Sequence, residues 1–272
     1  MKVCICGTVK NVGEYLSKVL ENMEKIGGLF EDYIILLYYD HSRDDTLEQL
    51  KKFQSKNSKL LFYVNNTPLS SFRTHNIAKG RNYCLHKIKI NYSDYEYMIV
   101  MDCDEVCSSK INLDHLKKYL LNNQSWDALS FNRKDYYDIW ALSIPPYIVS
   151  MRHFKNMNKV ENQMKTYVTN LLDKIPKNKL IKCMSAFNGF SIYKTNIFID
   201  SSYDGRLRLD LIPKNKIKIN ESILKEKINF VYNNSGAENT IYEDCEHRSF
   251  HLQAIKKHNA KICISPLFLF EE

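Results

Sequence analysis

The sequence predicts an α/β fold built on a mostly parallel, twisted sheet flanked by helices. In the first half, short apolar runs alternate with stretches whose apolar residues recur at helical spacing. This alternation is typical of a parallel sheet with right-handed crossovers. One of the runs, Tyr95 to Met101, is followed at once by Asp102, Asp104 and Glu105. An apolar run that breaks into acids indicates a buried strand that ends at the surface.

The first four predicted strands are short apolar runs, and a helical segment follows each. The segment from Val12 to Ile26 carries an apolar stripe and ends at Gly27-Gly28, a pair that favours a helix end. The run from Tyr33 to Tyr39 is apolar at successive positions, as expected for a strand covered on both faces. The predicted strands are Val3 to Val9, Tyr33 to Tyr39, Leu60 to Val64 and Tyr95 to Met101, and the helices after them begin near Val12, Leu47, Thr74 and Leu113.

The second half carries fewer such signals. Asp127 to Asn132 is a predicted strand, and Lys261 to Ile264 is the last one. Residues from about 150 to 182 are polar, rich in Lys and Asn and interrupted by Pro176. We expect them to form a weakly helical, mobile insertion over the sheet edge.

The composition indicates a globular chain that is long enough for one large or two modest domains. It has 272 residues, of which 44% are hydrophobic and 26% charged, with a formal net charge of +8. A basic balance can attract phosphates, nucleic acid or anionic membranes. The basic residues are dispersed rather than grouped in one block, which favours a solvated Lys-rich surface over a nucleic-acid-binding site.

The cysteines and the N-terminus predict a cytoplasmic protein. Eight cysteines are scattered without a Cys-x-x-Cys pair, and this pattern favours buried, reduced thiols in a reducing compartment. The N-terminus lacks the apolar core of a signal peptide. No apolar run approaches the roughly 20 residues needed to cross a bilayer, so no transmembrane segment is expected.

Asp102 and Asp104 are the first candidates for a functional site. In open α/β sheets, ligands bind beyond the carboxyl ends of the strands, where both side chains are expected. Two carboxylates one residue apart can converge on a cation of the Mg²⁺ or Mn²⁺ type, which completes its shell with waters and substrate phosphates. The sequence therefore predicts a site for a metal and a diphosphate. The alternative is an acidic turn that only ends a core strand.

Asp40, Ser42 and Arg81 are predicted at the same edge of the sheet. Asp40 ends the second strand, so its carboxylate could accept hydrogen bonds from a base or a ribose. Alternatively, Asp40 and Ser42 shape the turn and cap the next helix. Arg81 precedes the strand that leads to Asp102, and it could bind a phosphate through two parallel hydrogen bonds or form an ordinary surface ion pair.

Three motifs follow one another at this edge. They are Asp40-x-Ser42-x-Asp44-Asp45-Thr46, Ala78-x-x-Arg81-Asn82 and Met101-Asp102-Cys103-Asp104-Glu105. Together they resemble the nucleotide-sugar half of GT-A-fold glycosyltransferases, above all the family-2-type inverting group, over about residues 3 to 110. The resemblance implies a GT-A, Rossmann-like sheet with a smaller mixed C-terminal part. It divides this single domain into a nucleotide-sugar-binding half at 1–110 and an acceptor-binding and catalytic half at 111–272.

The resemblance also implies a role for each motif residue. Asp40 and Ser42 would belong to the donor site, with Asp40 on the base, and Arg81 would contact the nucleotide. Asp102 would bind the ribose or the metal, and Asp104 would bind the metal, which would be Mn²⁺ or Mg²⁺. A UDP- or GDP-sugar is the implied donor.

Two patches of the second half fit the same group. The strand from Phe187 to Tyr193 resembles the one beneath the donor sugar, where Gly189 would let the backbone approach the ligand or would mark a bulge. The run Tyr136-Tyr137-Asp138-Ile139-Trp140-Ala141-Leu142 is similar to a segment of some members, although Ser143 stands where they often have Arg. Its Tyr and Trp side chains could stack on a sugar or pack in a core loop.

Glu243, Asp244, His247 and His251 form the last candidate group. If a helix starts at Asp244, the side chains of Asp244, His247 and His251 share one face. In the resembled family an acid at this Glu-Asp position is the general base toward the acceptor hydroxyl, and a following His completes the metal shell in some members. The resemblance thus implies Asp244 as base with Glu243 as competitor, and His251 as metal ligand with His247 as competitor. The alternative is a capped helix with surface histidines.

We therefore expect a metal-dependent glycosyltransferase that moves a sugar from a nucleoside-diphosphate sugar to a hydroxyl of a glycan, protein or lipid-linked acceptor, with inversion. A sugar-1-phosphate nucleotidyltransferase would share the sheet and the metal, but such enzymes usually have a Gly-rich loop after the first strand, where this chain has only Gly7. A basic nucleic-acid-binding protein leaves the acids at the strand ends unexplained, so nucleic acid is not an expected partner.

Overall fold

One sheet of eight strands runs through the molecule. The computed structural model describes residues 1–228 and 243–271, and in this part of the chain the strand order is β3-β2-β1-β4-β7-β5-β8-β6. The strands are β1 Lys2–Val9, β2 Asp32–Tyr39, β3 Leu60–Val64, β4 Tyr97–Met101, β5 Ala128–Asn132, β6 Ile181–Cys183, β7 Phe190–Lys194 and β8 Ile262–Phe268.

Helices cover both faces of this sheet. Side chains alternate along β1, so that Val3 and Ile5 pack into one core with α1, α2 and α4, whereas Cys4 and Cys6 pack into a second core with α3 and α8. A third core lies under α5. The helices are α1 Gly13–Gly27, α2 Thr46–Gln54, α3 Arg73–Asn91, α4 Leu113–Leu121, α5 Met157–Lys174, α6 Thr195–Phe198, α7 Lys214–Leu224 and α8 Glu246–His258.

The first four strands are parallel, and their order creates a crevice between β1 and β4. From β1 the chain proceeds outward through β2 and β3, and it then returns to place β4 on the other side of β1. In open α/β sheets this reversal of strand order is the place where ligands bind, beyond the carboxyl ends of the strands.

The second half completes the sheet with mixed pairing. β7 is antiparallel to β4 and to β5, whereas β5 is parallel to β8, and β6 is antiparallel to β8. Since β7 runs against β4, its first residues lie beside the last residues of β4. The Asp102 backbone N–H accordingly donates to the Gly189 carbonyl at 2.9 Å.

The predicted α/β class, with a parallel first half and a mixed C-terminal part, is confirmed. Two local predictions were wrong. The segment expected to be a weakly helical insertion contains the 18-residue helix α5, because Val160, Met164, Val168 and Leu172 recur at spacing four and are fully buried. The helix expected to start at Asp244 starts at Glu246.

The division into halves at residue 110 stays a prediction. Among the described helices, none has the length and apolar content required to cross a membrane.

Candidate functional site

A cleft of about 660 Å³ opens beyond the carboxyl ends of β1, β2 and β4. It lies at the crevice between β1 and β4 and is completed by α3, by the segment after β5 and by the start of α8. Its lining includes Thr8, Val9, Lys10, Asp40, Arg73, Asn76, Arg81, Asp102, Asp104, Tyr137, Asp138, Trp140, Phe187, Glu246 and His247. The structure thus brings Asp40, Asp102, Asp104 and Arg81 together in one place.

Asp40 is the member of the first motif that lines the cleft. Its Oδ1 accepts a hydrogen bond from Asn65 Nδ2 at 2.8 Å, which fixes the carboxylate at the end of β2. Ser42 and Asp44 hold the loop between β1 and α1 instead. Ser42 Oγ accepts a hydrogen bond from the Asn11 backbone N–H at 2.9 Å, and Asp44 Oδ2 accepts one from the Gly13 N–H at 2.9 Å. The structure therefore places Ser42 in the turn and not in the cleft lining.

Asp102 is held by two side chains. Its Oδ1 accepts a hydrogen bond from Arg81 Nη2 at 3.1 Å, and its Oδ2 accepts one from the Tyr137 hydroxyl at 3.0 Å. Burial raises the pKa of Asp102 to about 7, with further contributions from the negative charges of Asp104 and Asp138. Arg81 and Tyr137 oppose this rise. Ionisation of the Asp102 carboxyl group is consequently costly, first because the group is buried and second because Asp104 and Asp138 lie nearby.

Asp104 is held by the backbone that follows it. Its Oδ1 accepts a hydrogen bond from the Val106 backbone N–H at 3.2 Å and caps the short 3₁₀ helix Glu105–Cys107. The side chain is also one of the residues that line the cleft.

Arg81 lies beneath the cleft and joins it to α8. The side chain is 6% exposed, and its Nη1 contacts both the Glu246 carboxylate and His247 Nε2, the latter at 2.5 Å. Burial alone would lower the pKa of Arg81, but the charges of Glu246 and Asp102 raise it above its ordinary value. The guanidinium also lies 4.8 Å from the Phe187 ring centroid. Its direct partners are thus protein groups, and the predicted contact with a nucleotide stays a prediction.

Asp138 and Glu246 are two cleft carboxylates that sequence reasoning missed. Asp138 Oδ1 accepts a hydrogen bond from the Ala141 N–H at 3.2 Å, and Oδ2 accepts one from the Asn188 N–H at 3.3 Å. Burial raises the pKa of Asp138. The sequence feature that could have indicated Asp138 as a cleft residue is its position soon after a predicted strand. For Glu246 the only signal was one more acid in the Glu243-Asp244-Cys245-Glu246 run.

Asp244 lies outside the cleft lining. It is 2% exposed, and its Oδ2 accepts a hydrogen bond from Arg248 Nε at 2.9 Å, four residues along the chain. Arg248 also donates to the Trp140 carbonyl at 2.5 Å and to the Leu142 carbonyl at 3.0 Å. The pair therefore fastens the segment after β5 to α8. The role of Asp244 as a base stays a prediction.

Glu243 lies at the junction of α3 and α8. Its Oε1 accepts hydrogen bonds from the backbone N–H of Thr74 at 3.2 Å and from the Thr74 hydroxyl at 2.9 Å. Its Oε2 lies 3.6 Å from Arg152 Nη1. Both carboxylate oxygens therefore have neighbours in the protein, and the role of Glu243 as a base is likewise untested.

The two histidines of α8 differ in position. His251 is fully buried, with Nδ1 at 2.9 Å from Ser185 Oγ and Nε2 at 3.1 Å from the Tyr193 hydroxyl. Burial lowers the pKa of His251 to about 3, with further lowering by Arg248. His247 instead borders the cleft and stacks on Phe187 with ring centroids 3.8 Å apart. His251 is absent from the cleft lining, and its role as a metal ligand stays a prediction.

Gly189 serves packing within the site. Its φ is +84°, and a Cβ atom built on it would lie 2.6 Å from Val106 Cγ1 and 2.9 Å from the Tyr137 hydroxyl. These side chains occupy the space that the sequence assigned to a ligand. The absence of a side chain at Gly189 leaves room for the Tyr137 hydroxyl, which binds Asp102, so the predicted contact of Gly189 with a ligand stays a prediction.

The three aromatic residues after β5 differ in whether they line the cleft or lie in the core. Tyr137 and Trp140 line the cleft, whereas Tyr136 is fully buried in the core under α5. Sugar stacking stays a prediction for Tyr137 and Trp140, and the core-packing alternative holds for Tyr136.

Asp102 and Asp104 fit a cation of the Mg²⁺ or Mn²⁺ type. In the described parts of the chain, no group of three or more His, Cys, Asp or Glu side chains is arranged to hold a metal ion. Cations of this type often use one or two carboxylates and complete their shell with waters and substrate phosphates, so two aspartates suffice. The repulsion among Asp102, Asp104 and Asp138 is the kind of interaction that a bound cation relieves.

Comparisons with known proteins gave structural matches alone. No protein-family model and no curated protein matches this chain. S. aureus TarS 1-349 in complex with UDP-GlcNAc is similar with a TM-score of 0.45 and 15% identity, over 92% of this chain and 61% of that one. S. aureus TarS has a TM-score of 0.43 and 15% identity, over 75% of this chain and 30% of that one.

A further match is the mannosyltransferase PcManGT from Pyrobaculum calidifontis in complex with GDP-Man and Mn²⁺. It has a TM-score of 0.43 and 12% identity, over 74% of this chain and 47% of that one. The chain therefore spans less than two thirds of the length of each of these three structures.

Proposed function

We propose that this chain is a glycosyltransferase that transfers a sugar from a nucleoside-diphosphate sugar to an acceptor hydroxyl with the help of Mn²⁺ or Mg²⁺. One observation carries the proposal. Asp40, Asp102 and Asp104 follow two different strands, yet all three line one cleft at the crevice between β1 and β4. This is the place where α/β sheets bind nucleotides, and its acids are suited to a cation that binds phosphate.

The donor would lie across the carboxyl ends of β2, β1 and β4. Asp40, fixed by Asn65, can accept hydrogen bonds from the base or the ribose at the β2 end. Asp102 and Asp104 at the β4 end would hold the divalent cation. When bound, such a cation neutralises the charge of the diphosphate as it leaves. The UDP- and GDP-sugars named in the similar structures are the donor classes that we propose to test first.

The residues around Asp102 keep its carboxylate in position. Arg81 and Tyr137 each bind a different oxygen of Asp102, at 3.1 and 3.0 Å. A carboxylate fixed from two sides cannot rotate away when a substrate enters, so these contacts preorganise the site. Arg81 therefore serves as a positioning residue in the proposed reaction.

We propose Asp138 as the first candidate for the base that accepts the proton of the acceptor hydroxyl. It lines the cleft, and backbone N–H groups of Ala141 and Asn188 fix its orientation without neutralising its charge. Asp244, the base implied by the resemblance, is the second candidate, and its pair with Arg248 has to open before it can act. With either base, attack on the face opposite the leaving diphosphate inverts the configuration at the sugar carbon.

A screen of donors with a matched pair of variants tests the proposal. Thermal shifts are measured with UDP-, GDP- and dTDP-sugars, with and without Mn²⁺, and sugar transfer is then assayed with the donor that binds. Asp104→Asn should abolish the Mn²⁺-dependent shift and lower transfer by about 10²- to 10³-fold, the usual cost of losing one such charge-stabilising group. Asp114→Asn removes an exposed carboxylate of α4 and should change neither. Transfer by Asp104→Asn at the wild-type rate would refute the metal assignment.

A further inference from the structure

Two arginines lie beside the acidic part of the cleft. Arg73 is the first residue of α3 and lines the cleft. Arg152 lies in the short 3₁₀ helix Met151–His153, and its guanidinium carbon is 3.7 Å from the ring centroid of Trp140, which also lines the cleft. Arg73 thus belongs to the cleft lining, whereas Arg152 packs against one of the lining residues from a separate segment of the chain.

Glu243 brings these segments together. It binds Thr74, the neighbour of Arg73, through Oε1, while its Oε2 lies 3.6 Å from Arg152 Nη1. The distance to Arg152 is longer than that of a hydrogen bond, and 44% of the Arg152 side chain is exposed. Arg73 is exposed, and no carboxylate of the described residues lies within 4.0 Å of its guanidinium as an ion-pair partner.

The charges elsewhere in the cleft make these arginines significant. Five carboxylates line it, namely those of Asp40, Asp102, Asp104, Asp138 and Glu246. Arg81, the buried cation, is already paired with two of them. Lys10 is a further cation of the lining. Without a metal ion, the carboxylates of the lining still outnumber its cations, so a phosphate would need further basic side chains beside the cleft.

The surroundings of Arg152 suit it to this task. A guanidinium presents its donors in a planar fork that matches a phosphate. Stacking on an aromatic face holds this plane in one orientation, so less conformational freedom is lost when a ligand binds. Trp140 supplies such a face at the cleft wall.

We propose that Arg73 and Arg152, with Trp140 as the platform of Arg152, form a phosphate-binding subsite of this cleft. The subsite deepens the proposed glycosyl transfer and rests on it. The phosphate is either the diphosphate of the donor or a phosphate group carried by the acceptor, and the recognition chemistry is the same in both cases.

Calorimetric titration with inorganic pyrophosphate in buffer freed of divalent metal tests the subsite by itself. Arg73→Gln and Arg152→Gln should each weaken pyrophosphate binding by about tenfold, the usual loss for one charge-assisted contact. Arg152→Lys should recover part of the affinity, because it keeps the charge but loses the stacked fork. Lys179→Gln removes an exposed charge outside the cleft lining and should bind as the wild type does.

Thermal denaturation of each variant confirms that it is folded before titration. Wild-type affinity in both glutamine variants would overturn the subsite. So would a wild-type protein that does not bind pyrophosphate without metal. Neither result touches the proposed function, which is tested separately by nucleotide binding with Mn²⁺ and by Asp104→Asn.

Two further titrations identify the source of the phosphate. If the subsite receives the donor, Arg152→Gln should weaken the binding of UDP or GDP in the presence of Mn²⁺. It should leave the binding of uridine or guanosine unchanged. If it receives the acceptor, Arg152→Gln should bind UDP and GDP normally but lose affinity for glycerol phosphate. Either pattern supports the subsite, and unchanged binding of all these probes contradicts it.

Discussion

Two acid-bearing regions of this chain look alike in sequence but meet different environments in the fold. Asp40, Asp102 and Asp104 follow β2 and β4, and all three line the cleft. Asp244, two residues before α8, and His251, within α8, are buried and bound to other side chains. The first region is open to a ligand, whereas the second is engaged within the protein.

The difference lies in what fixes the position of each side chain. Parallel strands end at a common edge, so a polar residue that directly follows such a strand lies at that edge. The exposed face of a helix depends on how the helix is rotated by its packing. All residues from Glu246 to Leu252 are buried, so α8 has no solvent-facing side in these turns. A shared helical face therefore did not indicate a shared cleft.

The comparison is sharpened most by replacing the two candidate bases, Asp138 in the cleft lining and Asp244 in the buried region. Asp138→Asn should lower the rate of transfer by about 10²- to 10⁴-fold, the usual contribution of a general base, with little change in donor affinity. Asp244→Asn should mainly lower stability, because the buried Arg248 loses its partner. Single-turnover rates and donor affinities of both variants, compared with their unfolding free energies, separate the two roles. A folded Asp244→Asn protein that loses turnover while Asp138→Asn keeps it would reverse the assignment.

The next test concerns Arg81, which connects the two regions. Arg81→Gln leaves the buried Glu246 carboxylate without its cation, and loss of one partner of a buried pair typically costs about 3–5 kcal/mol. Denaturant unfolding measures this free energy. Lys89→Gln, which breaks the exposed pair with Asp200, is the matched control and should cost at most about 1 kcal/mol. If the two variants lose equal unfolding free energy, the ion pair of Arg81 with Glu246 contributes no more than an ordinary surface pair.

The complete burial of His251 predicts that the stability of the protein depends on pH. Burial lowers its pKa in the folded protein to about 3, whereas the unfolded chain titrates near the ordinary value of about 6.5. The unfolded state therefore binds more protons below pH 6.5, so stability is retained above that pH and lost as the pH falls through it.

Between pH 7.5 and 5.5 the loss amounts to about 1.4 kcal/mol from this residue. Unfolding free energies of the wild type and of His251→Gln should differ in slope by this amount, while His258→Gln, at an exposed position, should keep the wild-type slope. An unchanged slope in His251→Gln would mean that the imidazole is accessible to protons in the folded state.

The smallest expected effect concerns Ser42 and Asp40, two residues of one motif that we expect to have different roles. Ser42→Ala removes a hydrogen bond to the Asn11 backbone and should cost about 1 kcal/mol of stability without changing donor affinity. Asp40→Asn should do the reverse, because Asp40 lines the cleft. Donor titrations and melting curves of both variants test this, and a donor affinity that falls in Ser42→Ala would return Ser42 to the binding site.

Much of the first half could be predicted from the sequence because its signals are local. A run such as Tyr95 to Met101 determines a strand, and the acids after it then lie at the sheet edge. Asp138 and Glu246 could not be assigned in this way. Asp138 reaches the cleft through an irregular segment bound to Asn188, and Glu246 reaches it through Arg81. The contacts of Asp138 with Asn188 and of Glu246 with Arg81 join parts of the chain that are far apart in sequence, so local patterns do not predict them.

The central claim is that acids from separate strands hold a cation against a diphosphate in this cleft. Anomalous diffraction from crystals grown with Mn²⁺ and UDP or GDP tests it most directly. We expect one manganese peak within bonding distance of the Asp104 carboxylate and of the diphosphate oxygens, with the base or ribose near Asp40. A manganese ion bound elsewhere, or a nucleotide outside the cleft, would contradict the claim.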